Sequence, residues 1–209
     1  MVLLHHVPFI VPMLYPGMLW NKDRGEKSIY LTFDDGPVLG VTEFVLEELG
    51  KRGQKATFFM VGDNVKKNPS LAKEVFKAGH QIGNHTFHHL NGFRCSVSDY
   101  LESISACDTI LKETLGAESN LFRPPYGRIT KKQQKILQDR YQIVMWDVLS
   151  GDYDPGQPVQ KCLDKTIKYS RNGSIVLFHD QEKTAQTIRE VLPPYLDHIQ
   201  AQGFQTGLL

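Results

Sequence analysis

The sequence predicts an α/β fold built from about seven parallel strands alternating with helices. Two observations carry this expectation. Short runs rich in β-branched and apolar residues alternate with longer stretches whose apolar residues recur at helical spacing. The unusual polar residues fall at the carboxyl ends of the short runs, the face on which barrels of parallel strands assemble their sites. At 209 residues the chain can bury one sizeable core, and no Pro-, Gly- or Ser-rich linker divides it.

Taken in order, residues 1–25 read as an N-terminal arm packed on the domain formed by residues 26–209. The apolar stretch Val7–Trp20 is interrupted by Pro8, Pro12 and Pro16 and no basic segment precedes it, so it reads neither as a membrane span nor as a signal peptide. The default compartment is then the cytoplasm, or the cell envelope if a leader has been removed. The strands are expected at 28–33, 56–61, 81–83, 121–123, 142–148, 174–178 and 205–208. Between them, Val41, Val45, Leu46 and Leu49 mark one helix, and Leu101, Ile104, Cys107, Leu111 and Leu115 mark the longest. Thr42, Ser98, Thr130 and Thr184 stand near helix starts, and Gly50, Gly79, Gly116 and Gly173 near ends.

A formal net charge of +1 supplies no field for nucleic acid or anionic membranes, which favours a neutral substrate. Cys95, Cys107 and Cys162 are odd in number and form no CxxC pair, so they read as thiols, mostly of the core.

Five segments carry chemistry. Asp34 and Asp35 follow the first strand in TFDDGP, a pair that repels itself unless a cation or base separates the two roles. Such a segment is also an ordinary turn composition. His85 and His89 stand four apart in HTFHH, a spacing that lets two imidazoles reach one ion, or equally a solvated turn; His80 and His88 read as bystanders. Arg123 ends the fourth strand, Asp147 and Asp152 follow the fifth, and His179 follows the sixth. Two histidines and a carboxylate leave coordination positions open for water and substrate.

With these motifs in family order, the chain resembles the polysaccharide deacetylases, carbohydrate esterase family four, also called the NodB-homology domain. The resemblance covers about residues 28–209 through TFDDGP (32–37), HTFHH (85–89), RPPYG (123–127), the weaker SGDY (150–153) and LFH (177–179). It implies a distorted (β/α) barrel and a hydrolase that removes N-acetyl groups from amino-sugar residues of a glycan such as peptidoglycan or a chitin-like oligomer. It further implies one divalent ion, Zn²⁺ with Co²⁺ or Ni²⁺ as alternatives, on Asp35, His85 and His89, with Asp34 as general base and His179 as general acid. Arg123 would orient Asp34, Asp152 would favour protonated His179, and the Tyr126 backbone N–H would face the oxyanion. Tyr126, Tyr153 and Leu177 would wall the substrate cleft.

The fourth motif departs from the family. Leu149 replaces its opening aspartate and Tyr153 its tryptophan, with Asp147 as the candidate substitute two residues earlier. Rival readings explain less. A non-haem iron oxygenase uses the same donor set but gives Asp34, Arg123 and His179 no role. A glycosidase needs two carboxyls about 5 to 9.5 Å apart across a sugar bond and leaves the histidines idle. A deacylase of another N- or O-acylated compound, or a silent glycan-binding module, stays open. The sequence does not decide the glycan, the native metal or the oligomeric state.

Overall fold

The computed structural model describes residues 5–209. Its core is one curled sheet in which β1 (Met18–Leu19), β2 (Ser28–Asp34), β3 (Thr57–Met60), β4 (Gln81–Asn84), β5 (Leu121–Phe122), β6 (Gln142–Val144), β7 (Val148–Leu149) and β8 (Ile175–His179) lie in the order β1-β6-β5-β4-β3-β2-β8-β7. The ladder pairings are all parallel, and β9 (Gln205–Thr206) adds to the start of β2.

Alternation along the strands builds two layers. Leu31, Phe33, Phe58, Met60, Val176 and Phe178 face the helices, while Tyr30, Phe59, Leu121, Val144 and Ile175 meet inside the curl. The helical layer comprises α1 (Ile10–Leu14), α2 (Thr42–Lys51), α3 (Gly62–Lys67), α4 (Pro69–Lys77), α5 (Val97–Leu115), α6 (Lys131–Leu137), α7 (Val159–Tyr169) and α8 (Ala185–Ala201). A capping box between Thr130 and Gln133 starts α6, and Gly116, in the left-handed conformation, ends α5. The start of α5 is capped by Ser96 rather than by Ser98, which lies one residue inside the helix.

The single strand expected at 142–148 is two strands. Residues 145–147 leave the ladder, so β6 pairs with β5 while β7 pairs with β8, and the barrel is broken at this seam. The N-terminal stretch covers both open edges, an arrangement that removes unpaired strand edges from solvent. β1 pairs along β6. His6 bridges Val148, and the Val7 N–H donates to Asp147 O at 3.0 Å. No helix among the described residues is long and apolar enough to cross a membrane.

Candidate active site

The site forms at the carboxyl ends of β2, β4, β5, β7 and β8. Alternation on β2 turns Thr32 and Asp34 toward the interior of the curl, where Arg123 waits with 0 % exposure. Its guanidinium donates from Nη1 to Asp34 Oδ1 at 2.7 Å and to Thr32 Oγ1 at 2.9 Å. Nη2 and Nε are taken by the carbonyls of Met145 and Val144, at 2.7 and 3.3 Å, and the group lies 4.2 Å from the Phe59 ring centroid. Burial lowers the pKa of Arg123 and Asp34 opposes that shift. Arg123 thus meets the carboxylate through one hydrogen bond, while Thr32 and the carbonyls of Val144 and Met145, where β6 ends and the break begins, hold the guanidinium in place.

In an unbroken strand Asp34 and Asp35 would face opposite sides. Asp35 instead takes φ 85°, which swings its carboxylate toward the histidines. His85 Nε2 then lies 3.7 Å from Asp34 Oδ2 and 3.6 Å from Asp35 Oδ1, and His89 Nε2 lies 3.0 Å from Asp35 Oδ1. The non-glycine residues with positive φ among the described residues are Asp35, Thr86, His89 and Tyr126, all in these loops; such backbone costs energy and clusters at functional sites.

One atom from each of Asp35, His85 and His89 lies within 4.8 Å of the others. His85 Nδ1 donates to the Arg123 carbonyl at 2.8 Å, so its Nε2 keeps the lone pair that faces Asp35. Burial lowers the His85 pKa to about 4, which holds the imidazole in its neutral, ligating form at neutral pH. Burial alone would raise the Asp35 pKa, but the neighbouring imidazoles of His89, His179 and His85 outweigh it and hold the carboxyl below its usual range. Asp35 Oδ1 is buried and without a hydrogen bond. An orphaned buried oxygen facing two imidazole nitrogens fits a divalent cation.

On the neighbouring strand, His179 is gripped twice by Asp152. Its Nδ1 meets Asp152 Oδ1 at 2.8 Å and its backbone N–H donates to Asp152 Oδ2 at 2.7 Å. Burial lowers the His179 pKa, but Asp152, then Asp35 and Asp34, overcome that and raise it to about 9. Tyr153 stands edge-on to His179, with centroids 5.3 Å apart. Leu177 is buried on the His179 face of β8, and the Tyr126 hydroxyl lies 3.1 Å from His89 Nδ1. The candidate residues are therefore brought together, with one exception.

Asp147 does not join them. It precedes β7 rather than following a strand, and its carboxylate binds Arg24 Nη2 at 2.9 Å and Ser174 Oγ at 2.7 Å, at the opposite end of the curl from His179. It cannot stand in for the missing fourth-motif aspartate, because the strand break reverses which end of a strand it occupies. His80 is a structural histidine, its Nδ1 accepting the Ala56 N–H at 3.2 Å.

The sequence reading missed Asp180. This fully buried acid accepts the Gly36 N–H at 3.1 Å and the Thr42 hydroxyl at 2.6 Å, while its own N–H donates to Asp34 O at 3.0 Å. A Cβ on Gly36 would stand 2.1 Å from Asp180 Oδ2, which explains glycine there. Burial raises the Asp180 pKa to about 8. Its position directly after His179 was the available signal.

A curled parallel sheet with this site on its carboxyl-end face defines an α/β protein of the broken-barrel class. The profile described as polysaccharide deacetylase matches residues 21–142, and the chain belongs to that family. A peptidoglycan-N-acetylglucosamine deacetylase of Bacillus cereus is 35 % identical over 196 residues, covering 89 % of this chain and 88 % of that protein. The peptidoglycan-N-acetylmuramic acid deacetylase PdaC of Bacillus subtilis is 32 % identical over 88 % of this chain and 38 % of its own length. Among solved structures, a peptidoglycan N-acetylglucosamine deacetylase superposes with a TM-score of 0.90 at 29 % identity, covering 97 % of this chain and 95 % of that one. A pseudoenzyme of the same esterase family from Bacillus anthracis also superposes, with a TM-score of 0.79 at 25 % identity, over 91 % of this chain and 66 % of that one. Membership alone therefore does not fix activity, and the residues of the site must carry that argument.

Proposed function

We propose that this protein is a metal-dependent deacetylase that removes N-acetyl groups from amino-sugar residues of peptidoglycan. One observation carries the reading: Asp34 and His179 are register partners on adjacent strands, beside the Asp35, His85 and His89 donor set. A divalent ion held by those three side chains would polarise the amide carbonyl and acidify water, whose pKa falls from roughly 15.7 to about 7 on such an ion.

The chain's own groups do the rest. Arg123 occupies Asp34 Oδ1 and orients the carboxylate, leaving Oδ2 to take a proton from the attacking water. Amines leave poorly until protonated, and His179, carrying its proton at neutral pH, delivers it to the departing nitrogen. Asp152 stabilises that protonated imidazole and fixes its orientation. The Tyr126 N–H is the proposed oxyanion donor, and Tyr126, Tyr153 and Leu177 the walls around the acetyl group and its sugar. The peptidoglycan relatives support that polymer over chitin-like oligomers.

The test is acetate release from peptidoglycan, N-acetylglucosamine oligomers and acetylated xylan by protein stripped with chelator and reloaded with Zn²⁺, Co²⁺ or Ni²⁺. Metal-restored release from peptidoglycan, abolished by Asp34→Asn, is expected. Metal binding without acetate from any of these polymers overturns the reading.

A further inference from the structure

Two loops meet beside Tyr126. One runs from His89 to Ser96 and the other from Arg123 to Thr130, and close backbone approach fixes them to each other. The Gly92 N–H donates to Arg128 O at 3.1 Å, and Gln133 Nε2 donates to Gly92 O at 3.0 Å. A Cβ on Gly92 would stand 2.5 Å from Arg128 O, and one on Gly127 would stand 2.7 Å from Trp146 Cη2. The platform is thus held by backbone, glycines and Gln133, and among side chains of these loops Phe93 and Arg128 add only an exposed contact with each other across its outer edge.

Those two side chains stand outward together. Phe93 is 56 % exposed, and the Arg128 guanidinium carbon lies 5.5 Å from its ring centroid. Arg128 has no carboxylate partner among the described residues. A lone exposed phenylalanine needs no explanation. Here it is paired with an uncommitted guanidinium, on the same two loops that carry His89 and the 61 % exposed Tyr126.

We propose that Phe93 and Arg128 form a subsite for the sugar next to the one deacetylated, with the ring taking its apolar face and Arg128 taking a carboxylate it carries. This rests on the glycan reading of the site and deepens it. A chitin oligomer bears no carboxylate. The muramic residues of peptidoglycan bear one, on the lactyl ether when it is free or on the peptide stem when it is substituted. Guanidinium is suited to carboxylate because its planar fork donates two parallel hydrogen bonds.

Calorimetry on the Asp34→Asn protein compares three tetrasaccharides: chitotetraose, and alternating N-acetylglucosamine and N-acetylmuramic acid with free lactyl groups or with peptide stems. At least one carboxylated form is expected to bind about tenfold more tightly than chitotetraose, the value of one charge-assisted contact, and which form does so names the carboxylate's source. Arg128→Gln removes that preference and leaves chitotetraose binding unchanged. Phe93→Ala weakens all three. Arg94→Gln, an exposed charge of the same loop, keeps the preference. Equal binding of all three by the parent overturns the subsite, as does an equal loss in Arg94→Gln. Acetate release is measured separately on the protein with Asp34 intact, so a failure of deacetylation and a failure of the subsite are read on different instruments.

Discussion

Asp34 and His179 face each other in register across the β2–β8 ladder, one strand spacing or about 4.8 Å apart along the hydrogen-bonding direction. Paired residues of parallel strands project to the same side, so the proposed base and acid enter one cavity without any loop having to place them. Each is then locked by one buried opposite charge, Arg123 for Asp34 and Asp152 for His179.

The Arg123 lock gives the first prediction. Arg123→Met leaves a buried carboxylate unpaired and three acceptors on Thr32, Val144 and Met145 without their donor. Breaking a buried pair from one side costs about 3–5 kcal/mol, to be read in urea unfolding. Arg123→Lys retains charge but not the planar fork, so it is expected to fold while losing kcat by roughly 10² or more, because Asp34 is no longer held in one orientation. A lysine variant with parental kcat would remove Arg123 from the machinery.

The Asp152 lock sets the alkaline limb of activity. A general acid works only while protonated, and His179 loses its proton as pH rises through about 9. kcat/KM is therefore expected to hold through neutrality and fall on the alkaline side. Asp152→Asn removes the main contribution that offsets burial, so the limb moves to lower pH by about 2 units or more. A bound dication lowers the limb in both proteins, and the difference between their profiles is the quantity to measure. Superimposable profiles would sink the assignment of His179 as the acid.

Asp180 supplies a third prediction, from hydrogen bonds rather than charge. Asp180→Ala strands the Gly36 N–H and the Thr42 hydroxyl in the interior, at about 1–3 kcal/mol for each unsatisfied group, and loosens the turn that presents Asp34 and Asp35. Asp180→Asn keeps an oxygen for Gly36 and an amide that donates to Thr42. The alanine variant should melt lower and lose kcat with little change in KM; the asparagine variant should recover most of both.

The parts of this site that sequence made legible are those bound to strand ends. Asp34, His85, Arg123 and His179 each sit where a short apolar run stops, and the parallel topology gathers such positions on one face. The orientation of Asp35 and His89 was not legible, because it depends on left-handed backbone at residues whose type does not demand it. Nor was the break at residues 145–147. Val144, Met145 and Val148 read as one apolar run, and only the pairing of β6 and β7 with different neighbours divides it. Asp180 escaped because its role lies in a hydrogen bond to Gly36, 144 positions away in the chain.

That break decides what Asp147 does, and the last prediction separates two roles for it. Were it the substitute for the aspartate that Leu149 replaces, its removal would cost orders of magnitude in kcat and shift the alkaline limb as Asp152→Asn does. In the structure it instead clamps Arg24 of the N-terminal arm and Ser174 at the start of β8, with His6 Nε2 3.6 Å away. Asp147→Ala therefore leaves Ser174 and the half-exposed Arg24 without their partner, for a loss of about 1–3 kcal/mol in unfolding experiments. kcat/KM and the pH profile should stay at parental values below the melting transition. Arg24→Ala, which removes the same contact together with those to Asn172 O and Ser174 Oγ, should also destabilise and be equally silent in kinetics. A kinetic defect in Asp147→Ala that Arg24→Ala does not share would return the residue to the active site and contradict the placement seen here.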